Sequence, residues 1–266
     1  RLRGSSGACP DYPDNLGMRQ TSPSAVASLN WLAFDTSTDV LSVAVQRGAQ
    51  IWHSHGPGGA QASATLIPTA LALLTQAGLS CQALNAIVFG RGPGSFTGLR
   101  TACAVAQGLA HGAQVPVMAL DTLLAIAQAH QPAPGQSVRV LAVLDARMGQ
   151  LYAAAYHWQD NQWHTDQPPG LYDPDDLRLP DSWRDDPSVV LAGSPVPEHA
   201  QALSVALQRP WLCQATSPSA LNLIALAPAA WAAGMAMPAQ EALPLYLRDK
   251  VAQTTAERAA LQDAKA

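Results

Sequence analysis

The chain has 266 residues, 48% of them apolar and only 13% charged, with a formal net charge of -4. That length suits one large domain or two medium ones, since domains cluster at roughly 100–150 residues. The acidic balance argues against unaided binding to nucleic acid or to an anionic membrane, because affinity for phosphate needs clustered Lys and Arg.

Residues 1–29 are rich in Gly, Ser, Pro and Asp and show no hydrophobic period, so a disordered extension is expected there. No apolar run precedes Trp31, and no signal peptide is read. Cys9, Cys81, Cys103 and Cys213 match no zinc or thioredoxin-like spacing, which points to a reducing cytoplasm. Two stretches lack Asp, Glu, Lys and Arg, from Gly48 to Gly90 and from Pro210 to Gln240. His53, His55, Gly56, Pro57 and Gly58 break the first, and Pro218, Asn222 and Pro228 the second, so neither reads as a membrane span.

Order is expected from Trp31. A strand over Leu32–Asp35 leads through Thr36–Asp39 into a second at Leu41–Val45, with a Gly48 turn into Ile51–Trp52. A helix is predicted over Ala62–Ala77, closed by Gly78, with Pro68 marking a later start or a kink. A buried strand at Ala86–Gly90 enters the loop Arg91–Ser95, a helix over Thr97–His111, a short strand at Val117–Leu120 and a helix over Leu123–Ala129.

Then the pattern restarts. Val140–Asp145 repeats the first strand with its terminal Asp, and Tyr152–Ala155 repeats Ser42–Val45, both 110 residues on. Val190–Gly193 resembles Ile87–Gly90 and leads toward a helix near Pro197–Leu207. This order favours duplication over coincidence. It implies an α/β fold of two halves, over 30–115 and 116–251, with a C-terminal tail over 252–266.

Two such halves would enclose a cleft, and ligands of α/β sheets sit at loops after strand ends. Asp35, Gly92, Gly94 and Ser95 are therefore the candidates for cofactor contact. Gly92 and Gly94 permit a tight turn and close backbone approach, and Ser95 or Thr97 can cap the following helix. The same residues also suit a tight strand-to-helix turn that holds no ligand. Asp121 reads as a helix cap. His53 and His55 share one strand face but have no third ligand nearby in sequence, and no Ser-His-Asp or Cys-His arrangement is defensible. No metal or cofactor is expected.

The two long helices carry more apolar surface than one core stripe needs. On the first, Ile67, Leu71 and Leu74 form one row and Leu66, Ala70, Leu73 and Ala77 another. The former is assigned to the core and the latter to an interface. On the second, Arg100, Ala104 and Gly108 join that interface, since small residues let helices approach closely.

Residues 32–45, 86–111 and 141–156 resemble the TsaB (YeaZ) family, and the likeness extends to Pro244–Arg248. The run Gly90–Arg100 followed by Asp145-Ala-Arg-Met-Gly149 carries it most specifically. The resemblance implies the actin-like, Hsp70-like (acetate-kinase) superfold, with mixed sheets flanked by helices. It further implies an accessory role beside a TsaD-like transferase in forming threonylcarbamoyladenosine in tRNA. A TsaE-like ATPase would dock on the pair, a homodimer would form when TsaD is absent, and tRNA would be met only through the complex. The family's TsaD relative carries a His-x-x-x-His metal pair where this chain has Thr122 and Ile126. That difference implies a non-catalytic subunit. Many TsaB sequences also place a His where Ala62 stands here. The alternatives are a small-molecule kinase of the same superfold and a stand-alone homodimeric regulator.

Overall fold

The computed structural model describes residues 29–193, 199–210 and 213–248. The expected extension over 1–29, apart from Leu29, lies outside them, as do the tail over 252–266, Cys9 and residues 194–198, where the helix expected near Pro197–Leu207 would begin.

The first sheet has the order β3-β2-β1-β4-β5. Its strands are β1 (Asn30–Asp35), β2 (Val40–Arg47), β3 (Gln50–Pro57), β4 (Ala86–Gly92) and β5 (Val117–Asp121). The second has the order β10-β9-β6-β7-β8, from β6 (Val138–Arg147), β7 (Gln150–Gln159), β8 (Gln162–Tyr172), β9 (Val190–Gly193) and β10 (Cys213–Ala215). In each, the first three strands form an antiparallel meander, and the next two lie parallel to the first. The duplication seen in the sequence is thus repeated in topology. It extends to a local detail: Asp35 accepts the Ser37 amide at 2.9 Å and Asp145 accepts the Arg147 amide at 2.7 Å, the same Asx turn at corresponding strand ends.

Among the described residues five α-helices complete the fold: α1 (Ala62–Ala77), α2 (Phe96–Ala113), α3 (Thr122–Gln128), α4 (Ala200–Ala206) and α5 (Ala220–Ala232). Side chains alternate across each strand, and β1 is buried on both faces. Leu32 and Phe34 meet α1 and α2 on the outer side, while Trp31 and Ala33 join α3 and α5 between the two sheets. The outer side of the second sheet buries Leu141 and Val143 against Leu177, Trp183 and Leu203. The order through the molecule is α1/α2, first sheet, α3/α5, second sheet, and a cover of loop and α4. The second half has no long helix between β8 and β9 to match α1, so the two long outer helices belong to the first half alone.

α1 starts at Ala62 with Pro68 inside it, so the proline does not delay the helix. Gly78 ends it in the left-handed conformation, its amide reaching the carbonyls of Leu74 and Thr75. β5 hydrogen-bonds to β4 and closes the first sheet at Asp121, beyond the junction expected at 115/116. The chain after α5 also returns to the first half: Met237 pairs with Val117, and Ala239 and Ala242 enter the core under α1 and α2.

The sequence-based assignment of helix faces is overturned except at Leu74, which is buried as expected. Leu66, Ala70, Leu73 and Ala77 are all buried against the first sheet, whereas Ile67 and Leu71 are 40% and 45% exposed. The alanines explain the choice. The small residues Ala62, Ala70 and Ala77 interleave with Leu66, Leu73 and Leu74 on the buried face and allow a close approach, and Ile67 and Leu71 are turned outward. On α2, Arg100, Ala104 and Gly108 are exposed.

Candidate functional site

The turns that end β1 and β6 face each other across a cleft of about 580 Å³. Ser37, Thr38 and Asp39 line one wall with Gly94, Ser95 and Phe96. Leu144–Met148 and Tyr152 line the other, and Arg248 completes it. The cleft lies where the duplicated sequence placed it, at loops following strand ends.

Of the four cofactor candidates, Gly94 and Ser95 line this cleft, and Asp35 and Gly92 are buried beside it. Asp35 is wholly enclosed. Its Oδ1 accepts from the Ser37 amide and from Ser37 Oγ at 2.6 Å, and its Oδ2 accepts from Thr122 Oγ1 at 3.3 Å. Loss of solvent pushes its carboxyl above the usual carboxylate range, against the hydrogen bonds from Ser37 and Thr122 that pull it down. The glycine loop is packed against the protein's own backbone. A Cβ on Gly94 would lie 2.6 Å from Ser37 O, and one on Gly98 only 1.8 Å from Thr36 O. The Ser95 amide donates to Ser37 O at 2.7 Å, and Ser95 Oγ caps α2 by accepting from the Gly98 amide. Of the two uses open to these glycines, the tight turn packed on Thr36–Ser37 accounts for the close approaches.

Asp121 stands at the N-cap of α3 without a side-chain cap bond, so its reading as a cap is corrected. Its buried carboxylate instead accepts from Arg91 Nε at 2.6 Å. Thr122 and Ile126 are both fully buried, one donating to Asp35 and the other packed between the sheets. His53 and His55 have ring centroids 5.6 Å apart on the edge strand β3. Among the described residues no group of three His, Cys, Asp or Glu could hold a metal ion, and no helix is long and apolar enough to cross a membrane.

Across the cleft mouth, Arg147 pairs with Asp39 at 3.3 Å, joining the halves through exposed charges worth little to stability, and with Asp145 of its own turn at 3.1 Å. Arg248 donates to the carbonyls of Ala146 and Arg147. It holds a hairpin turn in which Arg147, Met148 and Gly149 all have positive φ. These ties were not legible in the sequence, because they join residues about a hundred positions apart.

The other feature of note is the outer face. α1 and α2 pack side by side and present Ile67, Leu71, Ala104 and Gly108 outward. At the start of α2 and beside it lie Phe96, Arg100 and Tyr246, whose contacts sequence spacing could not foretell.

The Asp35 environment makes a pH prediction. A carboxyl whose folded-state pKa is raised contributes fully below the ordinary carboxylate value, and that contribution is lost as pH rises through the folded value. Asp35→Asn removes this loss. The variant should therefore gain stability relative to the parent chain as pH is raised from about 4 to about 8. Urea unfolding of both proteins at each pH checks this, and a difference that stays flat or moves the other way contradicts it.

Residues 58–178 match the family model of TsaD, tRNA N6-adenosine threonylcarbamoyltransferase. Over 227 residues, 83% of its length, the chain is 31% identical to the tRNA threonylcarbamoyladenosine biosynthesis protein TsaB of Escherichia coli, of which it covers 95%. It is also similar to YeaZ from Pseudomonas aeruginosa, with a TM-score of 0.73 and 34% identity over 82% of this chain and 100% of that one. A Pseudomonas aeruginosa crystal structure described as similar to peptidase YEAZ superposes with a TM-score of 0.74 and 34% identity, covering 83% and 100% of the two chains.

Proposed function

We propose, from the premise that this chain belongs to the TsaB family, that it is the accessory subunit of a TsaD-type transferase and takes part in forming threonylcarbamoyladenosine in tRNA. The observation that carries the reading is the outer face of α1 and α2, where Ile67 and Leu71 stand exposed beside Ala104 and Gly108. Exposed aliphatic side chains grouped on two adjacent helices mark a contact surface, and small neighbours let a second helix pair come close. The partner resembles this chain over the segment that includes both helices, so a bundle of two helices from each protein is the expected joint.

No covalent step is assigned to this subunit. Its Asp35 is sealed by Ser37 and Thr122, and Thr122 and Ile126 are interior. A TsaE-like ATPase is expected to dock on the pair, and tRNA to be bound through the complex. The cleft is the one feature that favours the alternative, a small-molecule kinase. The carboxylates of Asp39 and Asp145, however, are already paired with Arg147.

Leu71→Arg tests the docking reading. The parent chain should co-elute with the cell's TsaD-type transferase in size-exclusion chromatography. The variant should elute separately while keeping its melting temperature, because Leu71 is half exposed in the monomer. Co-elution of the variant as tight as the parent's refutes the surface.

A further inference from the structure

We infer that Arg100, fixed over Phe96 and bonded to Tyr246, is the residue that makes the α1/α2 face select a partner bearing a carboxylate over a second copy of this chain. The inference rests on the docking reading above.

α1 carries no Asp, Glu, Lys or Arg, and Arg100 is the only such residue of α2. A face this apolar would accept many apolar helices, itself included, unless some element discriminates. Arg100 is placed to do so. Its guanidinium carbon lies 3.8 Å from the Phe96 ring centre, and its Nε donates to Tyr246 Oη at 3.1 Å. Phe96 and Tyr246 touch each other, their centroids 5.3 Å apart, and both are partly exposed. The three side chains hold one another in place before any partner arrives, so little rotamer freedom remains to be lost on binding. Stacked Arg beside aromatic rings is also the composition enriched at the energetic centres of interfaces.

Among the described residues the cluster includes no anion and no ion pair includes Arg100, and Nε accounts for one of its five N–H donors. Phe96, Arg100, Ala104 and Gly108 follow at intervals of four, so Arg100 lies on the exposed row itself. Covering that row strips water from the guanidinium, and a carboxylate on the partner offsets the loss. A second copy brings no acid on either helix. Glu241 ends a short 3-10 turn that flanks α2 near Gln107, whose side chain bonds to Ala242 O. That is two turns along the helix from Arg100, about 10 Å at 1.5 Å per residue. Self-pairing through these helices therefore desolvates two guanidinium groups with no acid supplied by either helix, whereas a TsaD-type partner with an acidic residue opposite Arg100 satisfies one.

Arg100→Met and Arg100→Glu test this, measured by titration against the cell's TsaD-type transferase and by sedimentation of the chain alone. Arg100→Met should weaken the heterocomplex about tenfold or more and Arg100→Glu about a hundredfold. The parent heterocomplex should weaken as salt is raised, and this dependence should vanish in Arg100→Met. Self-association of Arg100→Met should be no weaker than the parent's. Heterocomplex affinity within about twofold of the parent with its salt dependence kept, or self-association that falls in step with it, overturns the proposal. Leu71→Arg runs alongside. If it abolishes the heterocomplex while Arg100→Met does not, the docking surface stands and the role of Arg100 fails. If Leu71→Arg pairs normally, the docking reading itself fails.

Discussion

Ala70→Arg should unfold this chain, and Leu71→Arg, one residue on, should leave it folded. Ala70 is fully buried on the row with Leu66, Leu73 and Ala77, and the row lies on Val43 and Val45 of β2. An Arg at that place must either bury an unpaired charge or lift α1 from the sheet. Breaking buried charge compensation costs about 3–5 kcal/mol, and a domain has only about 5–15 kcal/mol in all. Leu71 is 45% exposed, and a charged side chain there reaches solvent in the free monomer. Circular dichroism melting of both variants checks the pair. A native melting curve for Ala70→Arg, or a lost one for Leu71→Arg, would return the helix to the rotation that spacing alone suggests.

Gly98→Ala should be nearly as damaging, although it adds a single methyl. Its Cβ would sit 1.8 Å from the carbonyl oxygen of Thr36, which is backbone and has no rotamer to move. The same two residues are tied by the Thr36 hydroxyl donating to Gly98 O at 2.7 Å. The first turn of α2 is thereby seated on the Asp35–Ser37 turn, and displacing it disturbs both. Overpacking of this kind costs about 3 kcal/mol, or roughly 6–12 °C in Tm for a chain of this size. Gly108→Ala is the contrast, because a Cβ there meets nothing within 4 Å. It should stabilise the monomer by about 0.5–1 kcal/mol, the ordinary gain of replacing Gly in a helix. On the proposed surface the same methyl would stand in the helix contact and weaken pairing. Thermal melts of the two variants separate a glycine needed for close approach from one that faces outward.

The half of the fold built on local signals was legible. The strand ends at Asp35 and Asp145 and the Gly78 cap each depend on a few neighbouring residues, and these mark out the duplicated topology. α5 was not read, although Ala220–Ala232 lies wholly within a charge-free stretch. It is apolar on nearly every side because it sits between two sheets, so it has no period to announce it. The rotation of α1 was misread for a related reason. Two apolar rows were visible, but which one met β2 depended on how closely the helix had to approach the sheet. The alanines of the buried row settle that, and size was the signal to weigh. At the candidate site, the glycines were correctly placed at a turn, but that Thr36 and Ser37 would fill the space against them is a tertiary fact. The same holds for Asp121, drawn from a capping role to Arg91 across the sheet.

The account's central claim is tested most directly by threonylcarbamoyl incorporation into tRNA, measured with purified components. The transferase and the ATPase are assayed with no further addition, with this chain, and with its Leu71→Arg variant. On the proposed reading, incorporation requires the parent chain, reaches its plateau at one chain per transferase, and stays at background with the folded variant. The chain without the transferase should give no incorporation. Full incorporation by transferase and ATPase alone, or equal support from Leu71→Arg, would contradict the assignment of this chain as a docked accessory subunit.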